Sequence, residues 1–281
     1  MISVNKLEAL ILAAGYSSRF NFKDRRFNKY LLKLNNSNIL GYIIAGMIKT
    51  GIEKITIVTS KILPEGQKYR KKILKSIAHS CIDYKNIELI IIENKNPKRE
   101  NGYSLSLGLS TISSEYTLLS MADHIFSQNV FSKLIKSYKK KDILLATDPM
   151  YNKGYYDKDD ATKVYGEKNL ISKIGKGLKN YNRLDMGVFL FKTKDIKKIC
   201  KKLESGFHKF GVTDVINTAL KSDLSVGYYD FPNTIWLDID DRKNYRQLKR
   251  LFNKTSSLHP FGLVPTNHIA YNTKTTEVNN Y

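Results

Sequence analysis

The sequence predicts an α/β layered domain with a mixed, mostly parallel central sheet and a small β extension. Three observations lead there. Apolar runs of strand length alternate with helical patterns through the first half, as they do in a sheet with crossover helices. The first of these runs passes straight into a turn of small residues. In the second half, shorter β runs flank a hairpin signal. At 281 residues the chain can bury one sizeable core, or one core plus a small appendage.

Each element has a local reason. Residues 9–13 are apolar enough for a buried parallel strand. Residues 39–49 have helical spacing and end near Gly51, a residue suited to a helix terminus. Residues 54–59 are rich in β-branched side chains and read as a strand. A lysine-rich helix follows over about 65–79, then a strand over 87–92. Residues 101–113 and 128–138 read as helices, and residues 116–121 and 143–146 as strands. Right-handed crossovers put these connections on the two faces of one sheet. Residues 161–165 and 170–174 flank Gly166-Glu167-Lys168-Asn169 as a hairpin. A strand over 184–191 contains Gly187, helices cover 194–203 and 213–221, and strands cover 225–229 and 234–239. A helix over 242–252 closes a domain of residues 1–253. Residues 254–281, polar and containing Pro260 and Pro265, read as an extended, partly disordered tail.

Composition narrows the partners. Forty-seven Lys and Arg against 26 Asp and Glu give a formal net charge of +21, which attracts anions, nucleic acid or a membrane surface. The lysines are dispersed in short runs such as Lys139-Lys140-Lys141 and Lys201-Lys202. No helix-turn-helix, zinc-finger or RNP pattern accompanies them, so nucleic acid is disfavoured. The chain has no signal-peptide-like start and no apolar run of membrane-spanning length, which predicts a cytoplasmic protein. Cys81 and Cys200 match no metal spacing and read as small apolar packing residues in a reducing compartment.

Three stretches carry chemistry. In Leu10-Ile11-Leu12-Ala13-Ala14-Gly15-Tyr16-Ser17-Ser18-Arg19, closed by Lys29, small residues let the backbone approach a ligand and offer N–H and hydroxyl donors. Leu12, Ala13, Ala14, Gly15, Ser17 and Ser18 are the candidate nucleotide-binding residues. Arg19 and Lys29 are the candidate catalytic cations for phosphate oxygens. An ordinary strand-to-helix connection would share this look. Neither a Walker A loop nor G-x-G-x-x-G is present, which disfavours a P-loop hydrolase and a Rossmann dehydrogenase. The second stretch opens a helix with Asn101, Gly102 and Ser104, whose donors suit a base or phosphate, or simply cap a core helix. The third is acidic. Asp123 falls at a strand's carboxyl end, where open α/β sheets bind ligands, and Asp238 and Asp240 alternate on one side of a later strand together with Trp236. Hard carboxylate oxygens suit Mg²⁺ at a triphosphate, although Asp123 and Asp241 also read as helix caps.

The first stretch resembles the signature of nucleotidylyltransferases of the GT-A-like fold, L-A-A-G-x-G-T/S-R followed by a lysine, commonly Lys-Pro. Here Ser17 stands at the second glycine and Tyr30 at the proline. The run Asn101-Gly102-Tyr103-Ser104-Leu105 resembles archaeal CTP:inositol-1-phosphate cytidylyltransferases, as does Asp123-His124 beside their G-D-H. Residues 236–241 resemble their W-x-D-x-D-T, with Asp241 replacing the threonine. Ala161-Thr162-Lys163-Val164, the I-x-K-I-G-K-x-L pattern over 171–178 and Asp185-Met186-Gly187-Val188-Phe189 resemble further motifs of that family.

The resemblance implies transfer of CMP from CTP to a phosphorylated alcohol, giving CDP-inositol from inositol 1-phosphate and releasing pyrophosphate. It implies Mg²⁺ on Asp123, Asp240 and Asp238, acceptor phosphate on Lys163 and Lys176, and a ring hydroxyl on Asp185. His124 takes a supporting role. Relatives are often fused to a membrane-embedded CDP-alcohol transferase, which makes such an enzyme an expected partner. Other acceptors stay open, among them a sugar phosphate, a phosphocholine-like compound or a phosphonate, as does another NTP. A non-catalytic module for nucleic acid or an anionic surface is disfavoured, because carboxylates in a phosphate cleft repel the ligand unless a cation intervenes.

Overall fold

Alternation along Leu7–Ala13 (β1) divides its side chains between two cores. Ala9, Ile11 and Ala13 enter one and Leu10 and Leu12 the other, so β1 is buried on both faces as a central parallel strand must be. In the computed structural model, the described residues are 2–20, 28–35, 37–60, 86–127, 129–150 and 157–254. The expected helix over 65–79, Cys81 and the tail from residue 255 lie outside them.

A short ribbon of Lys33–Leu34 (β2) and Ser37–Asn38 (β3) follows the β1 loop. Lys54–Thr59 (β4), Glu88–Glu93 (β5) and Tyr116–Met121 (β6) join β1 in the parallel half of the main sheet. After the small strand His124–Phe126 (β7) come Ile143–Asp148 (β8), Lys163–Glu167 (β9), Leu170–Gly175 (β10), Arg183–Lys192 (β11), Val226–Asp230 (β12) and Trp236–Asp238 (β13). Nine of these strands form one sheet in the order β5-β4-β1-β6-β11-β8-β12-β10-β9. β11 is antiparallel to both β6 and β8, β8 and β12 are parallel, and the β9–β10 hairpin is antiparallel. The sheet is therefore mixed, with β9 and β10 as its β extension.

The helices Ile39–Ile48, Val130–Lys136 and Arg242–Lys254 contribute side chains to the first core. Those of Glu100–Leu109, Thr193–Gly206 and Val212–Leu220 fill the second. Cys200 packs within the second core, where burial pushes its thiol up to about 12. No helix among the described residues is long and apolar enough to cross a membrane.

Two local features position the site. The expected hairpin forms, but β9 extends through Glu167, so the connection shortens to Lys168 and Asn169, both at positive φ, 50° and 61°. In β11 the register shifts between Asp185 and Phe189, and Gly187 sits at φ 70°. A side chain there would be strained, and its Cβ would lie 3.0 Å from Met121 and 3.1 Å from His124.

Candidate active site

The departures of the β1 loop from the usual glycine and proline have physical reasons. Ser17 adopts φ 53°, the left-handed region that glycine enters without strain and other residues enter at a cost of about 1 kcal/mol. Its Oγ in return accepts the backbone N–H of Lys29 at 3.0 Å, which pins the second cation to the loop. Tyr30 is buried, and its hydroxyl bonds Thr59 Oγ1 at 2.8 Å at the carboxyl end of β4.

Lys29 reaches the point where the acidic strand ends converge. Its Nζ lies 2.7 Å from Asp123 Oδ2 and 2.6 Å from Asp240 Oδ1. Burial alone would lower the pKa of this ammonium, but Asp123, Asp238 and Asp240 outweigh burial and hold it above its ordinary value. Burial would likewise raise Asp123, yet the Lys29 ammonium and His124 keep it well below the usual carboxylate range. His124 Nδ1 bonds Asp123 Oδ1 at 2.9 Å. Burial disfavours the charged imidazole, but the Asp238 and Asp123 carboxylates push it up to about 9.

The strands explain this convergence. β6 ends just before Asp123, and the antiparallel pairing of β7 with β13 sets Asp238 directly opposite His124. This ribbon was hidden in the sequence, where residues after Met121 read as a turn into a helix. That helix starts only at Val130, with Asn129 as its cap, so Asp123 does not serve that helix. Asp240 lies beyond the end of β13, and it still lines the same cleft as Asp238 and Trp236.

The donor set fits a divalent cation. One ligand atom each from Asp123, His124 and Asp238 lie within 4.8 Å of one another. Asp238 Oδ1 is buried without a hydrogen-bond partner among the described residues, and burial together with Asp123 pushes this carboxyl up to about 7. Such an orphaned oxygen beside two further carboxylates suits a hard, oxygen-seeking ion such as Mg²⁺.

The cleft has a volume of about 990 Å³, with Arg19, Asp123, Asp238 and Asp240 in its lining. Lys176, Thr162 and Asp185 also line it. Asp185 Oδ1 accepts the Gly187 N–H at 2.8 Å, and burial pushes its carboxyl up to about 6. A residue that the sequence did not flag joins the two sides: Asp160 meets Arg19 Nη1 at 2.7 Å and Lys176 Nζ at 2.5 Å. It sits in a polar turn with no pattern to mark it.

Other expected site residues are placed differently. Lys163 is buried on β9, outside the cleft lining, and its Nζ donates to the Asp159 carbonyl at 3.0 Å. Of the helix-start trio, Asn101 alone lines the cleft, and its Oδ1 accepts the Val212 N–H at 2.9 Å. Gly102 serves packing, since a Cβ there would stand 2.5 Å from the Phe210 carbonyl oxygen. Ser104 is buried and accepts from Asn94 Nδ2 at 2.9 Å. Leu12, Ala13 and Ala14 are buried at the end of β1, while Gly15 and Ser18 are exposed on the loop.

The chain is similar to known nucleotidyltransferases. The sequence profile of the MobA-like NTP transferase domain matches residues 9–164. The bifunctional IPC transferase and DIPP synthase of Aquifex aeolicus is 26% identical over 248 residues, covering 88% of this chain and 52% of that protein. This chain thus spans about half the length of that relative. A putative UTP-glucose-1-phosphate uridylyltransferase of Methanocaldococcus jannaschii is 24% identical over 245 residues, covering 78% of this chain and 84% of that protein. The solved inositol-1-phosphate CTP transferase from T. maritima superposes with a TM-score of 0.72 at 25% identity, covering 88% of this chain and 96% of that one. The α/β architecture is the GT-A-like fold of nucleotidyltransferases.

Proposed function

Since the chain belongs to the MobA-like NTP transferase domain family, we propose that this nucleotidyltransferase moves CMP from CTP to inositol 1-phosphate. The products are CDP-inositol and pyrophosphate. The observation that carries this reading is the Lys29 ammonium held between Asp123 and Asp240, two acids of a cleft that Lys176 and Asp185 also line. The similarity to the T. maritima inositol-1-phosphate CTP transferase supports the substrate pair.

In this reading an acceptor phosphate oxygen attacks the α-phosphorus, and the bond to the β-phosphate bridging oxygen breaks with its electron pair leaving on pyrophosphate. The nucleophile is already an anion, so no general base is needed. The work of the protein is alignment and charge neutralisation. Backbone N–H groups of the β1 loop and the side chains of Arg19 and Lys29 hold the triphosphate. Asp123, Asp238 and Asp240 would hold Mg²⁺, which when bound supplies further charge neutralisation at the phosphates. Lys176 meets the acceptor phosphate and Asp185 a hydroxyl of its ring.

The test is pyrophosphate release over a panel of CTP and UTP with inositol 1-phosphate, glucose 1-phosphate, a phosphocholine-like phosphate and a phosphonate. CTP with inositol 1-phosphate should dominate. The uridylyltransferase-like relative makes UTP with glucose 1-phosphate the rival pair, and faster turnover of that pair would replace the named substrates. A link to a membrane CDP-alcohol transferase belongs to the same reading, since CDP-inositol is an activated donor for such chemistry.

A further inference from the structure

The helix Arg242–Lys254 begins directly after Asp240 and Asp241, and two bonds turn it toward the nucleotide loop. Arg242 Nε donates to the Phe20 carbonyl at 3.2 Å, and the Tyr245 hydroxyl donates to the Lys33 carbonyl. Lys243, Arg246 and Arg250, spaced i, i+3 and i+7, then share one face, and all three line the cleft that Arg19 and Asp240 also line. The inner cations assigned to the triphosphate and the acceptor are each ion-paired with carboxylates. Lys29 is held by Asp123 and Asp240, Arg19 by Asp160 and Asp240, and Lys176 by Asp160. Among the described residues, Lys243, Arg246 and Arg250 take part in no ion pair.

Three unpaired cations on one helix face, with Lys158 a fourth elsewhere in the lining, in a cleft rich in carboxylates call for a ligand with more negative charge than one phosphate. They stand on a helix fixed to Phe20 in the β1 loop and to Lys33, whereas Lys176 follows β10. We propose that Lys243, Arg246 and Arg250 form a polyphosphate subsite, taking the β- and γ-phosphates of the nucleotide and then the pyrophosphate these become. The proposal rests on the nucleotidyl-transfer reading above. It adds a helix face, outside the loop signature, as the place where the leaving group is held. Cations there act most strongly as charge accumulates on the departing pyrophosphate.

The experiment is calorimetric titration of the full chain with inorganic pyrophosphate and, separately, with CMP, in the presence of magnesium and at two salt concentrations. In the combined variant Lys243→Ala, Arg246→Ala, Arg250→Ala, pyrophosphate affinity should fall by about tenfold or more, from three exposed contacts of modest size each. The salt dependence of that affinity should shrink, KM for CTP should rise, and CMP affinity should stay within about twofold. A second triple variant, Lys194→Ala, Lys198→Ala, Lys201→Ala, removes the same charge from a separate groove that these three lysines line, and should keep pyrophosphate affinity. If the first triple variant is misfolded, the charge-conserving set Lys243→Arg, Arg246→Lys, Arg250→Lys should bind pyrophosphate normally while each single alanine variant weakens it.

Unchanged pyrophosphate affinity in the cleft variant, or an equal loss in both triple variants, would overturn the subsite. Pyrophosphate binding is read without acceptor or turnover, so a wrong acceptor leaves the subsite standing. Conversely, normal CDP-inositol synthesis with unaltered pyrophosphate binding in the cleft variant removes the subsite and leaves the reaction intact.

Discussion

The indole N–H of Trp236 donates to Asp148 Oδ2 at 2.8 Å, with both residues buried. Asp148 ends β8 and Trp236 opens β13, so this bond fastens the small ribbon of the acidic site to the main sheet. The indole also stacks on His124, at 5.7 Å between centroids and 9° between planes, which fixes the imidazole that bonds Asp123. Trp236→Phe keeps most of the apolar volume but removes the donor. It should lower unfolding stability by about 2 kcal/mol, the cost of losing a buried bond to a carboxylate. Urea denaturation reads this directly, and an unchanged midpoint would show that the bond contributes nothing. Turnover should fall too, since His124 and Asp238 lose their shared support.

Lys29→Met removes the ammonium between Asp123 and Asp240 and leaves two carboxylates facing one another. Turnover should fall by at least about a hundredfold, because in the proposed reaction this cation neutralises charge that builds in the transition state. Lys33 is the nearby rival; its side chain is exposed, and its carbonyl takes the Tyr245 hydroxyl. Lys33→Ala should therefore leave turnover nearly intact. The opposite outcome for this pair would mean that the loop lysine has been misassigned.

Asp123→Asn and Asp240→Asn each delete a carboxylate from the proposed Mg²⁺ site and a partner of Lys29. Each should reduce turnover by about a hundredfold or more at saturating magnesium, with circular dichroism unchanged. Near-normal turnover in a folded Asp123→Asn protein would refute the metal assignment.

How far the sequence reaches depends on how local each signal is. β4 and β6 are readable from their own residues, Lys54–Thr59 and Tyr116–Met121, because strands buried on both faces are continuous apolar runs. β7 is three residues long, too short for any periodicity, and it exists only because β13 pairs with it from more than a hundred residues away. Asp123, Asp238 and Asp240 stand out as acids at strand ends in a basic chain, and the fold brings all three to one cleft. Asp160 gives no such signal, since only the fold brings it between Arg19 and Lys176. Lys163 and Lys176 look alike in sequence, yet Lys163 is buried on β9 and Lys176 follows β10 into the cleft. A lysine's destination depends on which face of the hairpin it occupies, and the motif alone does not encode that.

Asp185 makes a prediction about pH. Burial pushes its carboxyl from an ordinary value of 3.8 up to about 6, against the opposing pull of the Gly187 N–H and His124. A raised folded-state value means that the folded protein holds the proton more tightly than the unfolded chain does. The stabilisation is therefore complete below about pH 3.8 and disappears as pH rises through about 6. Integrated over that window, the difference amounts to up to about 3 kcal/mol. In Asp185→Asn the amide oxygen can still accept the Gly187 N–H, and nothing titrates. Its stability relative to the parent should therefore climb between pH 4 and pH 7 and then level off. Urea midpoints of the two proteins across that range measure the climb. A flat difference would mean that Asp185 is hydrated or charge-paired in solution, and its assignment to an acceptor hydroxyl would then need another basis than a desolvated carboxyl in the cleft wall.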